Sequence, residues 1–152
     1  MDIRIIGAVI LIAATALLIL TEVAKRAYTH ELASLLEQGE VRAYLALLEK
    51  PFVKLVFPTW NRSFMQLNGY LALDAYGEAD SVIERMLSMR QNDRQRRELV
   101  GKAFNYYLER GNAEGATRLL AEIETWEDAD AVAEARMMHD IYIKKGWGYI
   151  ED

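Results

Sequence analysis

Read from the amino end, the hydrophobic positions first run together and then fall into a helical period. From Ile5 to Leu20 the chain reads IIGAVILIAATALLIL, 16 residues without a charge, between Arg4 and Glu22. As a helix at about 1.5 Å per residue this stretch reaches about 24 Å, against a hydrocarbon layer of about 30 Å; Thr21 and Val23 extend it and Arg4 can snorkel outward. A helix with no polar face is out of place at the end of a small soluble domain. The pattern therefore predicts a transmembrane anchor, represented by Ile5, Leu11, Leu17 and Leu20. Cleavage as a signal peptide is disfavoured, because the Ala14-Thr15-Ala16 triplet would leave Leu17-Leu18-Ile19-Leu20 at a new terminus and Arg4 is opposed by Asp2. Lys25 and Arg26 on one side against Arg4 on the other favour a cytosolic carboxyl side, with an extracytoplasmic one close behind.

Beyond the anchor, apolar residues recur at intervals of three and four. Leu99, Val100, Ala103, Phe104 and Tyr107 precede Gly111, and Ala116, Leu119, Leu120 and Ile123 follow it. Trp60, Phe64, Leu67 and Leu71 are followed by Ala79, Val82, Ile83, Met86 and Leu87; Leu32, Leu35 and Leu36 precede Gly39, and Val41, Tyr44, Leu45 and Leu48 run on to Pro51. A last helix begins near Ala129 and runs to Lys145, with only GWGYIED beyond it. These stripes read as core. Nothing reads as a strong strand, although Phe52 to Phe57, between two prolines, is expected to extend briefly. Gly39, Gly77, Gly111 and Gly146 stand 38, 34 and 35 residues apart, a period that signals stacked helical hairpins whose helices end in a left-handed glycine. The organisation read from this is an anchor at 1–22, a first hairpin and connector at 23–58, further hairpins at 59–146 and a tail at 147–152.

In YYLERGNAEGATRLL, Tyr107, Gly111 and Ala116 sit at the offsets that the tetratricopeptide repeat family uses around the turn of its paired helices, and the chain from about Thr29 to Lys145 resembles that family. Other turns depart from its pattern. Leu73 stands where the family has tyrosine, Val82 where it has alanine, and the last unit keeps Tyr142 and Gly146 without a second helix, as a capping helix would. Together with the anchor read from the apolar run, the resemblance implies an all-α fold, an N-terminal transmembrane helix followed by a short α-solenoid of about 3.5 helical hairpins. It also implies that the first helices of the hairpins line a groove for peptide segments of partner proteins. The groove positions are Phe64, Leu67, Leu71 and Asp74; Glu98, Asn105 and Glu109; and Arg136, Asp140 and Lys144. Family members that clamp chaperone carboxylate tails use Asn, Lys and Arg at such places. Only Asn105 matches, and an aspartate such as Asp140 repels a carboxylate.

Composition then mostly excludes. The 152 residues carry a net charge of −5, which argues against general nucleic-acid binding, since phosphate neutralisation needs clustered excess Lys and Arg. The absence of cysteine removes disulfides, thiol nucleophiles and Cys-based metal sites without choosing a compartment. His30 and His139 lie far apart, neither has a second ligand at helical spacing, and each reads as a surface or boundary residue. No phosphate-cradling glycine loop, GxSxG or HExxH is present, so no enzyme, cofactor, metal or small-molecule substrate is expected. Charge is uneven: six cations face two anions between Arg85 and Lys102, and eight anions face two cations between Glu109 and Glu134. The plain reading is two solvated helix faces. The functional one is a polar interface, with the basic patch of Arg90, Arg94, Arg96 and Arg97 meeting an acidic partner or anionic lipid.

Two roles fit these features. One is a single-pass membrane adaptor or scaffold that binds protein partners through its hairpins. The other is an accessory or regulatory subunit of a membrane enzyme or translocation complex, contacting it within the bilayer through Gly7, Ala13, Ala14 and Ala16.

Overall fold

The uninterrupted apolar run contains no proline, and it folds as one long helix. The computed structural model describes residues 3–144, and α1 occupies Ile3–Glu37, 35 residues, or about 52 Å of rod. There is no pause at residue 22. The apolar segment and the first helix of the first hairpin are continuous. Both hydroxyls near the apolar segment are satisfied inside the helix: Thr15 Oγ1 donates to the Leu11 carbonyl and Thr21 Oγ1 to the Leu18 carbonyl, each at 2.8 Å, so neither needs water.

The other helices are α2 (Val41–Leu48), α3 (Pro51–Val56), α4 (Thr59–Ala72), α5 (Tyr76–Leu87), α6 (Asp93–Glu109), α7 (Ala113–Ile123) and α8 (Ala129–His139), which passes into a π-helical turn at Asp140–Lys144. Among the described residues there is no strand. The chain divides into two compact units, residues 1–82 and 83–152, with the boundary inside α5.

Three helix ends close with the same pair of hydrogen bonds. After α1, Glu40 N–H donates to the Leu35 carbonyl at 2.8 Å and Gly39 N–H to Leu36 at 3.0 Å; after α4, Ala75 N–H donates to Tyr70 at 2.9 Å and Asp74 N–H to Leu71 at 3.2 Å; after α6, Asn112 N–H donates to Tyr107 at 2.8 Å and Gly111 N–H to Leu108 at 3.0 Å. This pairing requires one left-handed residue, and φ is +74° at Gly39, +52° at Asp74 and +65° at Gly111. The second turn corrects the sequence reading. Asp74, not Gly77, is the turn residue, and Gly77 lies inside α5. Aspartate is one of the few L residues that enter this conformation readily, and its carboxylate here accepts the Tyr76 hydroxyl at 2.7 Å. The turn thus recurs at 39, 74 and 111. Gly146 and the tail lie outside the described residues.

In the first unit the carboxyl half of α1 packs on α2 and α3, and α2 packs on α4. Leu32, Tyr44, Leu47, Leu48, Val53 and Phe57 form the buried cluster, with Tyr28 and Leu35 at its margin; Leu36, part of the sequence stripe, is exposed. The segment expected to extend between the two prolines is helical instead. Pro51 takes the first helical position, where its missing N–H costs nothing, and Val53 and Phe57, four residues apart, both enter the cluster. The aromatic stripe of α4 is also corrected. Trp60 and Phe64 are half-buried and stack at 5.0 Å, while Ser63, Gln66, Leu67 and Gly69 are buried. Gly69 explains the choice of face, because a Cβ there would stand 2.7 Å from Leu45 Cδ2 and 3.2 Å from Tyr44 Cε1. The Gln66 amide, turned inward by that choice, donates to the Glu49 carboxylate.

The second unit follows its sequence stripes closely. Leu99, Val100, Ala103, Phe104 and Tyr107 are buried, as are Ala116, Leu119 and Ile123, and α7 packs along α6 and α8 along α7. A side chain caps the start of each helix here. Asn92 Oδ1 accepts Gln95 N–H at 2.9 Å while Asn92 N–H donates to Gln95 Oε1 at 3.2 Å; Asn112 accepts Gly115 N–H at 2.9 Å and Asp128 accepts Ala131 N–H at 3.0 Å. His139 departs from the sequence reading. It is 6% exposed, with Nε2 2.9 Å from Thr117 Oγ1, because it ends α8 against α7.

Candidate functional site

Every residue from Ile5 to Leu20 is exposed, with Ile5, Leu11, Leu17 and Leu20 at 55% to 69%. Soluble monomers rarely leave uncovered an apolar patch of more than a few hundred Å². Over its most apolar 18-residue window α1 has a mean hydropathy of 2.4 with none of that window buried; among the described residues it is the one helix long and apolar enough to cross a membrane. At about 100° per residue, Gly7 and Ala14 share a face of α1 while Ala13 and Ala16 lie elsewhere, so the small residues do not form one stripe.

The ten groove positions divide between the two units. In the first, Leu67 is fully buried, which commits it to the core rather than to a partner; Phe64 and Leu71 are half-buried, and Asp74 is the turn residue described above. In the second, Glu98, Asn105 and Glu109 are exposed along α6. Arg136 donates to Glu124 at 2.6 Å and Lys144 pairs with Asp140 at 2.7 Å, so those three positions are engaged within the fold.

Part of the uneven charge is paired inside the second unit. Arg90 and Arg94 are exposed. Arg96 grips Glu122 through Nε and Nη2 at 2.6 and 2.7 Å, and its Nη1 donates to the Leu87 carbonyl at 2.7 Å. It therefore ties the end of α5, the start of α6 and α7 together, and its bonds to Glu122 hold its pKa above the ordinary value. Arg97 lies over the Trp126 ring, 5.4 Å from its centroid. Arg118 donates to Glu84, which also accepts the Tyr107 hydroxyl at 3.0 Å; these bonds, that from Arg118 foremost, hold the Glu84 carboxyl below its usual range. Arg96–Glu122 is the ion pair that joins the basic segment to the acidic one, while Arg90, Arg94, Glu109, Glu127, Asp130 and Glu134 stay exposed, as solvated faces would.

A concave site lies within the second unit. Gly101, Phe104 and Asn105 of α6, Ile123 at the end of α7, Trp126 in the connection that follows it, and Ala131, Glu134, Ala135 and Met138 of α8 line a cleft of about 220 Å³. Phe104, Ile123 and Ala135 are its buried floor, and Asn105 and Glu134 are exposed. Sequence reasoning singled out Asn105 and missed the rest. The available signal was Gly101, a glycine inside a helical stripe with no turn to make. His30 is exposed, and among the described residues no three His, Asp or Glu side chains gather as a metal site would need. Comparison with protein-family models, with curated proteins and with solved structures yields no match for this chain.

Proposed function

We propose that this chain is a single-pass membrane-anchored adaptor. Residues 5–20 cross the bilayer, and a tetratricopeptide-like stack of about 3.5 helical hairpins holds a partner protein at the membrane surface, on the cytosolic side that Lys25 and Arg26 favour. The observation that carries this reading is α1 itself. Its apolar half is exposed throughout, and its carboxyl half supplies Leu32 to the core of the first unit, with Tyr28 and Leu35 at the margin. A helix built that way couples a bilayer to a folded domain without a linker. The turn repeated at Gly39, Asp74 and Gly111 supports the hairpin stack. On this reading the chain holds no cofactor and catalyses no reaction.

The competing role is that of a subunit contacting a membrane complex through α1, for which the shared face of Gly7 and Ala14 is the supporting feature. Replacing residues 5–20 by an unrelated Leu-rich span of equal length, with co-purification in mild detergent, separates the two. The adaptor is expected to keep its partners after the swap. Loss of all of them from a chain that still shows its helical circular dichroism overturns the adaptor. Single cysteines introduced into this Cys-free chain, probed with an impermeant reagent, report the side of the membrane.

A further inference from the structure

Helix α6 has a glycine at its centre, Gly101 within Asp93–Glu109, and the fold makes no use of it. A central glycine weakens a helix relative to alanine. At two other helical glycines the compensation is visible: a Cβ at Gly69 would stand 2.7 Å from Leu45 Cδ2, and one at Gly115 would stand 2.7 Å from Tyr107 Cδ2, whereas Gly7 and Gly77 are as open as Gly101 but do not line the cleft of the second unit. At Gly101 a Cβ would meet no atom within 4 Å, and the residue is not left-handed. What the missing side chain leaves open is the cleft, where Gly101 is joined by the small residues Ala131 and Ala135. A helix-weakening glycine that packing does not require, placed at the wall of a cleft, makes that cleft the candidate for a functional role.

The size and chemistry of the cleft restrict what fits. A volume of about 220 Å³ lies below the roughly 300–1,000 Å³ of sites for drug-sized ligands, and suits one large apolar side chain over the Phe104 and Ile123 floor. Asn105 brings a donor and an acceptor, and Glu134 a negative charge. Neither side chain makes a hydrogen bond or ion pair with any described residue, whereas Arg96, Arg118 and Arg136 of the same unit are paired with Glu122, Glu84 and Glu124. Glu98, three residues before Gly101, and Asp130, four before Glu134, extend the negative charge along the same helix faces. Among the described lining residues none is a cation, and Arg97 is held over the Trp126 ring.

We propose that this cleft receives a bulky apolar side chain from a peptide segment of the partner protein, with a Lys or Arg beside it facing Glu134. This deepens the adaptor reading and rests on it. Anchor side chains in desolvated pockets dominate such interfaces, and opposite charge at the rim sets partner choice.

The test uses the full chain in nonionic detergent and three dye-labelled peptides, Gly-Lys-Trp-Lys-Gly, Gly-Glu-Trp-Glu-Gly and Gly-Lys-Ala-Lys-Gly, followed by fluorescence anisotropy. The Lys-Trp-Lys peptide is expected to bind at least about tenfold more tightly than either of the others, since the anchor and the cation are each needed. Gly101→Leu puts an apolar side chain at the cleft from a position whose Cβ meets nothing within 4 Å. It is expected to lower that affinity about tenfold or more while leaving the melting temperature unchanged or higher. Glu134→Lys, at an exposed position that does not touch folding, is expected to move the preference to the Glu-Trp-Glu peptide. Equal binding of the Lys-Trp-Lys peptide by wild type and Gly101→Leu overturns the proposal, as does a wild type without the stated preference. A partner that co-purifies equally with wild type and Gly101→Leu leaves the adaptor standing and removes the cleft as its dock.

Discussion

Two glycines of the second unit, each exchanged for alanine, are expected to move stability in opposite directions. At Gly101 the new methyl group meets nothing within 4 Å, so the chain gains the ordinary advantage of alanine in a helix interior, about 1 kcal/mol. At Gly115, in the first turn of α7, the same methyl group would lie 2.7, 2.9 and 3.0 Å from three ring carbons of Tyr107. Carbon atoms pack at about 3.5–4.0 Å, so a gap of nearly 1 Å must open. The ring cannot swing aside freely, because Tyr107 is 3% exposed and its hydroxyl donates to Glu84 at 3.0 Å. Overpacking of this kind costs about 1–3 kcal/mol, and helix propensity in a first turn offsets less than about 1 kcal/mol of it. The expected net loss is about 1–2 kcal/mol, or a melting temperature lower by about 2–8 °C for a chain of this length. Urea unfolding of the full chain in detergent, followed by circular dichroism, measures both variants against wild type. A Gly115→Ala chain as stable as wild type refutes the close α6–α7 contact, and a destabilised Gly101→Ala chain refutes the claim that the fold makes no use of that glycine.

Other outcomes follow from single contacts. Arg96→Lys keeps the charge but not the fork that holds both Glu122 oxygens and the Leu87 carbonyl at once; a loss of about 1–2 kcal/mol in the same unfolding assay is expected. Burial pushes the Tyr44 phenol from 10.0 up to about 12, so its contribution is fully present below pH 10 and is lost as pH rises towards 12; Tyr44→Phe is expected to remove that part of the alkaline decline in stability. The Glu84 carboxyl, held by Arg118 and then Tyr107 below its ordinary 4.5, contributes above pH 4.5, and that contribution is lost as pH falls through its lowered value; an acid titration of Glu84→Gln should show a shallower decline. Leu99→Ala, at a fully buried position, is expected to cost about 2–5 kcal/mol.

Much of the fold was legible because one-dimensional period and one-dimensional hydropathy each correspond to a physical face. The Leu99 to Tyr107 stripe is buried, and the run from Ile5 to Leu20 is one exposed apolar helix. The misreadings share a cause. Gly77 was a plausible turn on composition, but the backbone turned at Asp74, where a carboxylate with a local hydroxyl partner tolerates the left-handed conformation. Trp60 and Phe64 had the right spacing for a core, yet α4 turned Leu67 and Gly69 inward because only glycine admits the close approach of Leu45. Of the candidate site, Asn105 was named as a groove position that the resemblance implied, whereas Trp126 in the α7–α8 connection and Glu134 and Met138 of α8 share no period with it.

The helical class, the apolar segment and the turns at Gly39 and Gly111 were set by the local sequence, since each depends on neighbours within a few residues along the chain. Which charges pair, which face of α4 is inside and where a cleft opens were decided only by tertiary structure. Those outcomes depend on atoms brought together from distant positions: Arg96 finds Glu122 26 residues away, and an open space at Gly101 exists only because α8 lines it too.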